Sequence, residues 1–154
     1  MQTRLPNGQI VYQEDYSCII EPQNGKGGIF IGNLEAAQNI KTLKSIAHHI
    51  LEHNIRAILT AAKGVDLTHP KSEIPFYLQV PGEDRDGFDM TRYFVQGVNF
   101  IKDALETTSI MVHCLAGVSR SVCLVLAYFI KCKGFSYDEA YNLVKLKRNI
   151  VNQH

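Results

Sequence analysis

No run of apolar residues in this 154-residue chain reaches the ~20 residues that a membrane span requires. Charge of one sign is lacking as well. Lys and Arg number 16 against 15 Asp and Glu, leaving a formal net charge of +1. A global basic field for nucleic acid or an anionic membrane is thereby excluded, so any preference for anions has to be local. Cysteines are few, at positions 18, 114, 123 and 132, and do not make a disulfide framework. A reducing, cytoplasmic or nuclear setting is expected. Residues 1–11 lack the apolar core of a signal peptide, and Gln2 stands where N-myristoylation requires glycine. There is no internal repeat, low-complexity tract or linker. The remaining composition, 45% hydrophobic and 20% charged, is that of an ordinary soluble protein long enough to bury one core.

What the chain does contain is an alternation of short apolar runs and amphipathic stretches. Residues 1–14 are polar, with Pro6 and Asn7-Gly8, and read as a loosely held leader before a domain spanning 15–154. Strands are expected at 15–20, 29–31, 55–60, 76–80 and 109–113. Between 39 and 53 the apolar residues Ile40, Leu43, Ile46, Ala47, Ile50 and Leu51 mark one helix face. A second helix is expected over 91–105, where Gly97 implies close packing. A third over 121–133 is apolar almost all round and therefore buried. A fourth follows a Ser136-x-x-Glu139 capping box and ends in Lys145, Lys147 and Arg148, which suit a helix C-terminus. Strands alternating with helices imply an α/β fold. The expected architecture is a central mixed, mostly parallel sheet of about five strands, with helices on both faces.

The chemistry concentrates where the strand at 109–113 meets the third helix, in His113-Cys114-Leu115-Ala116-Gly117-Val118-Ser119-Arg120-Ser121. A loop feeding a helix N-terminus offers unpaired N–H groups and the positive end of the helix dipole, a ready anion site. Gly117 lets the backbone curl so that the amides of 115–120 point inward. Arg120 can close the ring with a planar fork that matches two phosphate oxygens. The same field favours the thiolate of Cys114, so anion cradle and nucleophile coincide. A buried structural cysteine beside a surface arginine is the plainer explanation. It does not account for these residue types at these spacings, a chance match of roughly one in a hundred thousand from average residue frequencies.

Transfer of a phosphoryl group to Cys114 needs a proton for the leaving oxygen. The thiolate cannot supply it, and neither can Arg120, which stays charged. A carboxylic acid on a mobile loop could, and could then activate water. The loop at 81–89, rich in Gly and acid, offers Glu83, Asp84, Asp86 and Asp89.

The pattern His113-Cys114-x-x-Gly117-x-x-Arg120-Ser121 resembles the signature of the cysteine-dependent protein tyrosine phosphatase superfamily. Its fuller form, with Ala116 and Ser119, resembles the small dual-specificity phosphatases, and the likeness runs from about Cys18 to Val151. The resemblance implies the superfamily's mixed sheet flanked by helices. It also implies hydrolysis of phosphotyrosine and phosphoserine/threonine in proteins through a phosphocysteine, without metal or cofactor. Counting back from Tyr93-Phe94, as the family spaces its acid, selects Asp84 ahead of Asp86. Ser121 would donate to the sulfur as it departs, unless it is only a helix N-cap, and His113 would hold the loop and influence the thiolate. The implied partner is a phosphorylated protein, in signalling, with neither nucleic acid nor membrane, and the chain is expected to be a monomer. The lysines that polyanionic lipid headgroups favour are missing from 115–119. Lipid or RNA-end phosphates, a catalytically silent phosphoprotein-binding module and a rhodanese-type sulfur transferase are the alternatives.

Two further features are given plain readings. His49-x-x-Glu52-His53 has the spacing of an inverted zinc-protease motif, but it lies on an apolar helix stripe with no third ligand identified, so no metal is expected. Cys123 and Cys132 read as inert packing residues of the buried helix.

Overall fold

The computed structural model describes residues 2–4, 8, 10–12, 15–40, 54–83, 85 and 87–151. Its strands are β1 (Gln2–Arg4), β2 (Ile10–Tyr12), β3 (Tyr16–Ile20), β4 (Ile29–Gly32), β5 (Ile55–Ala61), β6 (Phe76–Val80) and β7 (Ser109–His113). Its helices are α1 (Leu34–Gln38), α2 (Phe94–Leu105), α3 (Arg120–Lys133) and α4 (Tyr137–Lys147), with a 3₁₀ turn, Met90–Tyr93, leading into α2. β1 and β2 form a separate antiparallel ribbon, and the other five strands form one sheet in the order β3-β4-β7-β5-β6. β4, β7, β5 and β6 run parallel, and only β3 is antiparallel to its neighbour. The mixed, mostly parallel α/β architecture expected of the sequence is what forms.

β7 lies at the centre and is buried at all of its positions, as a parallel strand covered on both faces must be. Side chains alternate between two cores. Ile29, Ile31, Ala57, Leu59, Ile110 and Val112 face the layer made by α2, α3 and α4. Phe30, Ile58 and Met111 face the other side, where Ala36 of α1 packs together with Ile40 and Ile74. α2 lies on α3 at Gly97, where an added Cβ would come within 2.9 Å of a Leu124 methyl carbon. The close packing implied by that glycine is therefore real. The capping box of α4 is complete: Glu139 N donates to Ser136 Oγ at 3.1 Å, and Ser136 N to Glu139 Oε1 at 3.0 Å.

Several sequence expectations need correction. Residues 1–14, read as a loosely held leader, contain the β1–β2 ribbon, which the sequence reading did not anticipate, with register Gln2↔Tyr12, Thr3↔Val11 and Arg4↔Ile10. α1 was not expected. It is too short to show a period, and its one sequence signal is Asn33, whose side chain accepts from Ala36 N at 3.0 Å. Cys132 is exposed and so is not a packing residue, while Cys123 is half-buried. Arg148 does not lie along the end of α4; its side chain is buried. The helix read over 39–53, from residue 41 on, and with it His49, Glu52 and His53, lies outside the described residues. Among the described residues no helix is long and apolar enough to cross a membrane.

Candidate active site

Because β4, β5, β6 and β7 run parallel, their carboxyl ends gather at one edge of the sheet, where ligands of such folds bind. The loop leaving β7 is clasped there by its neighbours. Leu34 N, at the start of α1, donates to Leu115 O at 3.0 Å. Lys63 N, after β5, donates to Gly82 O at 2.9 Å. Gly117 has φ +70°, and a Cβ there would meet Gly32 O at 2.6 Å, so the curl requires glycine twice over, for its φ and for the space.

The sulfur of Cys114 is buried at the foot of this curl. Gly117 N donates to Sγ at 3.3 Å, and the Ser121 hydroxyl lies 3.3 Å away. Burial by itself pushes the thiol up, but the Ser121 hydroxyl and the backbone amides of Ser121, Gly117 and Ser119 outweigh it. The net result is a Cys114 thiol below its ordinary value. The direction matches the sequence expectation, while the donors are these close hydrogen bonds rather than the arginine. Ser119 caps α3 without a side-chain hydrogen bond, and an amide of the first helical turn is directed at the sulfur instead. Ser121 is not the N-cap; it sits inside the helix with its hydroxyl facing Sγ.

Arg120, the first residue of α3, is 5% exposed. Its Nη1 donates to Gly82 O at 3.2 Å, tying the guanidinium to the start of the acidic loop. Its Nε is buried and has no hydrogen-bond partner among the described residues. A charged donor in that condition costs free energy unless an anion meets it. Of the remaining loop residues, Leu115 and Ala116 are exposed, and Val118 and Ser119 are partly buried.

The candidate acids divide. Asp84 and Asp86 lie outside the described residues. Glu83 lies 3.7 Å from Arg85. Asp89 caps the 3₁₀ turn by accepting from Thr91 N at 2.9 Å and from the Thr91 hydroxyl, bonds that hold its carboxyl below the usual range. A carboxylate that accepts the bonds of a helix cap is favoured in its ionised form, which counts against Asp89 as the proton donor.

His113 exposes two partners that sequence reading missed. Its Nε2 lies 2.6 Å from Thr60 Oγ1, the Tyr77 hydroxyl donates to that same oxygen at 3.0 Å, and Nδ1 lies 3.1 Å from Cys114 O. With the Thr60 proton engaged toward Nε2, the ring is neutral and donates from Nδ1 to the carbonyl of the nucleophile. The single available signal was a hydroxyl residue, Thr60, in the otherwise apolar run of β5. Burial pushes the His113 ring down to about 4 from 6.5. Between those values the unfolded chain binds the additional proton, so stability present above pH 6.5 is lost as pH falls toward 4. The expected result is an imidazole with no NMR titration midpoint between pH 5 and 8. Denaturant stability should decline on acidification from pH 6.5 toward 4, with a shallower decline in His113→Gln. A ring midpoint near 6.5 would contradict the assignment.

Comparisons with known proteins bear on the family and the fold. Human dual specificity protein phosphatase 22 is 35% identical over 127 residues, covering 81% of this chain and 63% of that protein. The chain thus spans less than two thirds of that relative's length. A mouse putative dual specificity phosphatase, solved in complex with zinc tungstate, superposes with a TM-score of 0.75 at 21% identity, covering 94% of this chain and 82% of its own. The human tyrosine phosphatase-like serine/threonine/tyrosine-interacting protein superposes with a TM-score of 0.72 at 22% identity, covering 92% and 89%. The family pattern "Dual specificity phosphatase, catalytic domain" matches residues 36–154, and the chain belongs to that family.

Proposed function

We propose that the protein hydrolyses phosphate monoesters of phosphotyrosine and phosphoserine/threonine in proteins, in a reducing compartment. The observation that carries this reading is a buried sulfur ringed by amide donors at the start of a helix whose first residue, Arg120, has a buried Nε with no partner among the described residues. The substrate phosphate docks on the amides of 115–120 and on the fork of Arg120, which stabilises the charge of the transferring group. Cys114 Sγ attacks phosphorus in line, the P–O bond to the alcohol or phenol breaks, and Asp84 gives that oxygen its proton. Asp84 then takes a proton from water as the water oxygen attacks phosphorus. The S–P bond breaks, inorganic phosphate leaves, and the departing sulfur is received by the Ser121 hydroxyl. The amides and Arg120 supply the charge neutralisation, so the scheme assigns no role to a metal.

The test is release of phosphate from aryl phosphates of graded leaving-group acidity. Turnover should stop with vanadate and ignore EDTA. In Asp84→Asn it should fall about 10²- to 10⁴-fold for poor leaving groups and least for the most acidic phenol. An unchanged rate across the series would reassign the acid. Vanadate binding without any phosphate release would instead place the protein with silent phosphate-binding modules.

A further inference from the structure

Arg148 follows α4 and is 2% exposed, an unusual burial for a guanidinium. Its Nε donates to Gly117 O at 2.8 Å, its Nη2 to Ala116 O at 3.3 Å, and its Nη1 to Ser17 Oγ on β3 at 3.1 Å. The chain has no cis peptide among its described residues, and a trans peptide points its C=O and N–H in opposite directions. A donor on Ala116 O therefore stands behind the peptide whose other end, Gly117 N–H, bonds the sulfur. By the same geometry, the donor on Gly117 O turns Val118 N–H to the side of its peptide away from Arg148. Loop carbonyls left without donors could rotate, and the amides would swing out of the cradle with them.

We propose that Arg148 is a positioning residue for the Cys114 loop: its fork fixes the two peptide planes on either side of Gly117, so that their amides face the sulfur and the incoming phosphate. The proposal rests on reading loop 114–120 as an anion cradle. A cation on the carbonyl side also polarises the N–H at the other end of the same peptide, strengthening the bond to an anion. Arg148 touches neither sulfur nor substrate and acts through the two peptides. A lysine cannot reproduce it, because a single ammonium does not present two donors in the plane of a fork.

The experiment compares unaltered protein with Arg148→Met and Arg148→Lys, following alkylation of Cys114 by iodoacetamide against pH and its protection by vanadate. Modified sites are read by peptide mass spectrometry. The groups around the sulfur leave the profile clean. Burial pushes the His113 ring down to about 4 and the Cys123 thiol up to about 11. In Arg148→Met the midpoint should rise by about one pH unit and vanadate protection weaken about tenfold, the equivalent free energy. Arg148→Lys should fall between. An Arg148→Met protein that melts cooperatively, with unaltered midpoint and vanadate constant, would reduce Arg148 to a staple between α4 and β3 and overturn the proposal. Should neither variant fold, the Arg148 Nε–H signal of the unaltered protein decides. It should shift when vanadate binds, and an unmoved signal counts against the role. Absence of vanadate protection in the unaltered protein is a different failure, that of the cradle itself.

Discussion

Cys114→Ser is expected to lose at least about 10⁴-fold in kcat, the scale seen when the nucleophile of a covalent mechanism is removed, while still binding phosphopeptides. The asymmetry follows from how the site is built. The groups that would hold phosphate are the loop amides and Arg120, and none of them is altered. What changes is the attacking atom. The amides of Gly117, Ser119 and Ser121, with the Ser121 hydroxyl, bring a thiol below its ordinary value. The same donors acting on a hydroxyl start from a group so much less acidic that no useful alkoxide forms near neutrality. A thiolate at this position would repel an incoming dianion and a hydroxyl does not, so affinity should stay within a few-fold of the unaltered protein or improve. Single-turnover kinetics on an aryl phosphate, paired with a phosphopeptide titration, read the two quantities separately. Unchanged turnover would end the covalent mechanism. Loss of binding together with turnover would mean that the substitution had collapsed the loop.

How much of this was legible in the sequence depends on whether the parts were contiguous. Residues 113–121 lie on one strand–loop–helix unit, so the sequence order already brought Cys114, the loop amides and Arg120 together. The capping box of α4 was readable for the same reason, being local, whereas the close approach of Gly97 to Leu124 of α3 was readable only because a glycine inside a helix costs stability and implies a need for space. The network behind the loop is assembled from distant segments. Thr60 comes from β5, Tyr77 from β6, Ser17 from β3 and Arg148 from the end of α4. Each is an ordinary residue until the sheet order β3-β4-β7-β5-β6 is known. Arg148 was misread because a basic residue at a helix end has a sufficient local explanation in the helix dipole. The tertiary demand of two loop carbonyls overrode it. The β1–β2 ribbon was missed because the residues that pair in it, 2–4 and 10–12, show no clean alternation of apolar and polar side chains.

Arg120→Lys retains the positive charge and should nevertheless lose about 10²- to 10³-fold in kcat/KM on aryl phosphates, the scale of one lost donor to a developing oxyanion. If net charge were what mattered, this would be the mildest change available. The structure argues otherwise. One arm of the guanidinium is already engaged, with Nη1 on Gly82 O at 3.2 Å, and that engagement sets the plane of the fork. Nε remains as a buried donor with no partner among the described residues, aligned by an arm that is anchored elsewhere. A lysine ammonium is a single point that can either reach Gly82 O or approach the phosphate, but cannot do both in fixed geometry. Loss of the Arg120 bond leaves Gly82 O held by Lys63 N alone, which weakens the tie between the 81–89 loop and the guanidinium. The loss should therefore appear in kcat as well as in vanadate affinity, and Arg120→Ala should be only modestly worse than Arg120→Lys. A lysine variant within a few-fold of the unaltered protein in both measures would show that charge alone suffices and that the fork has no special role.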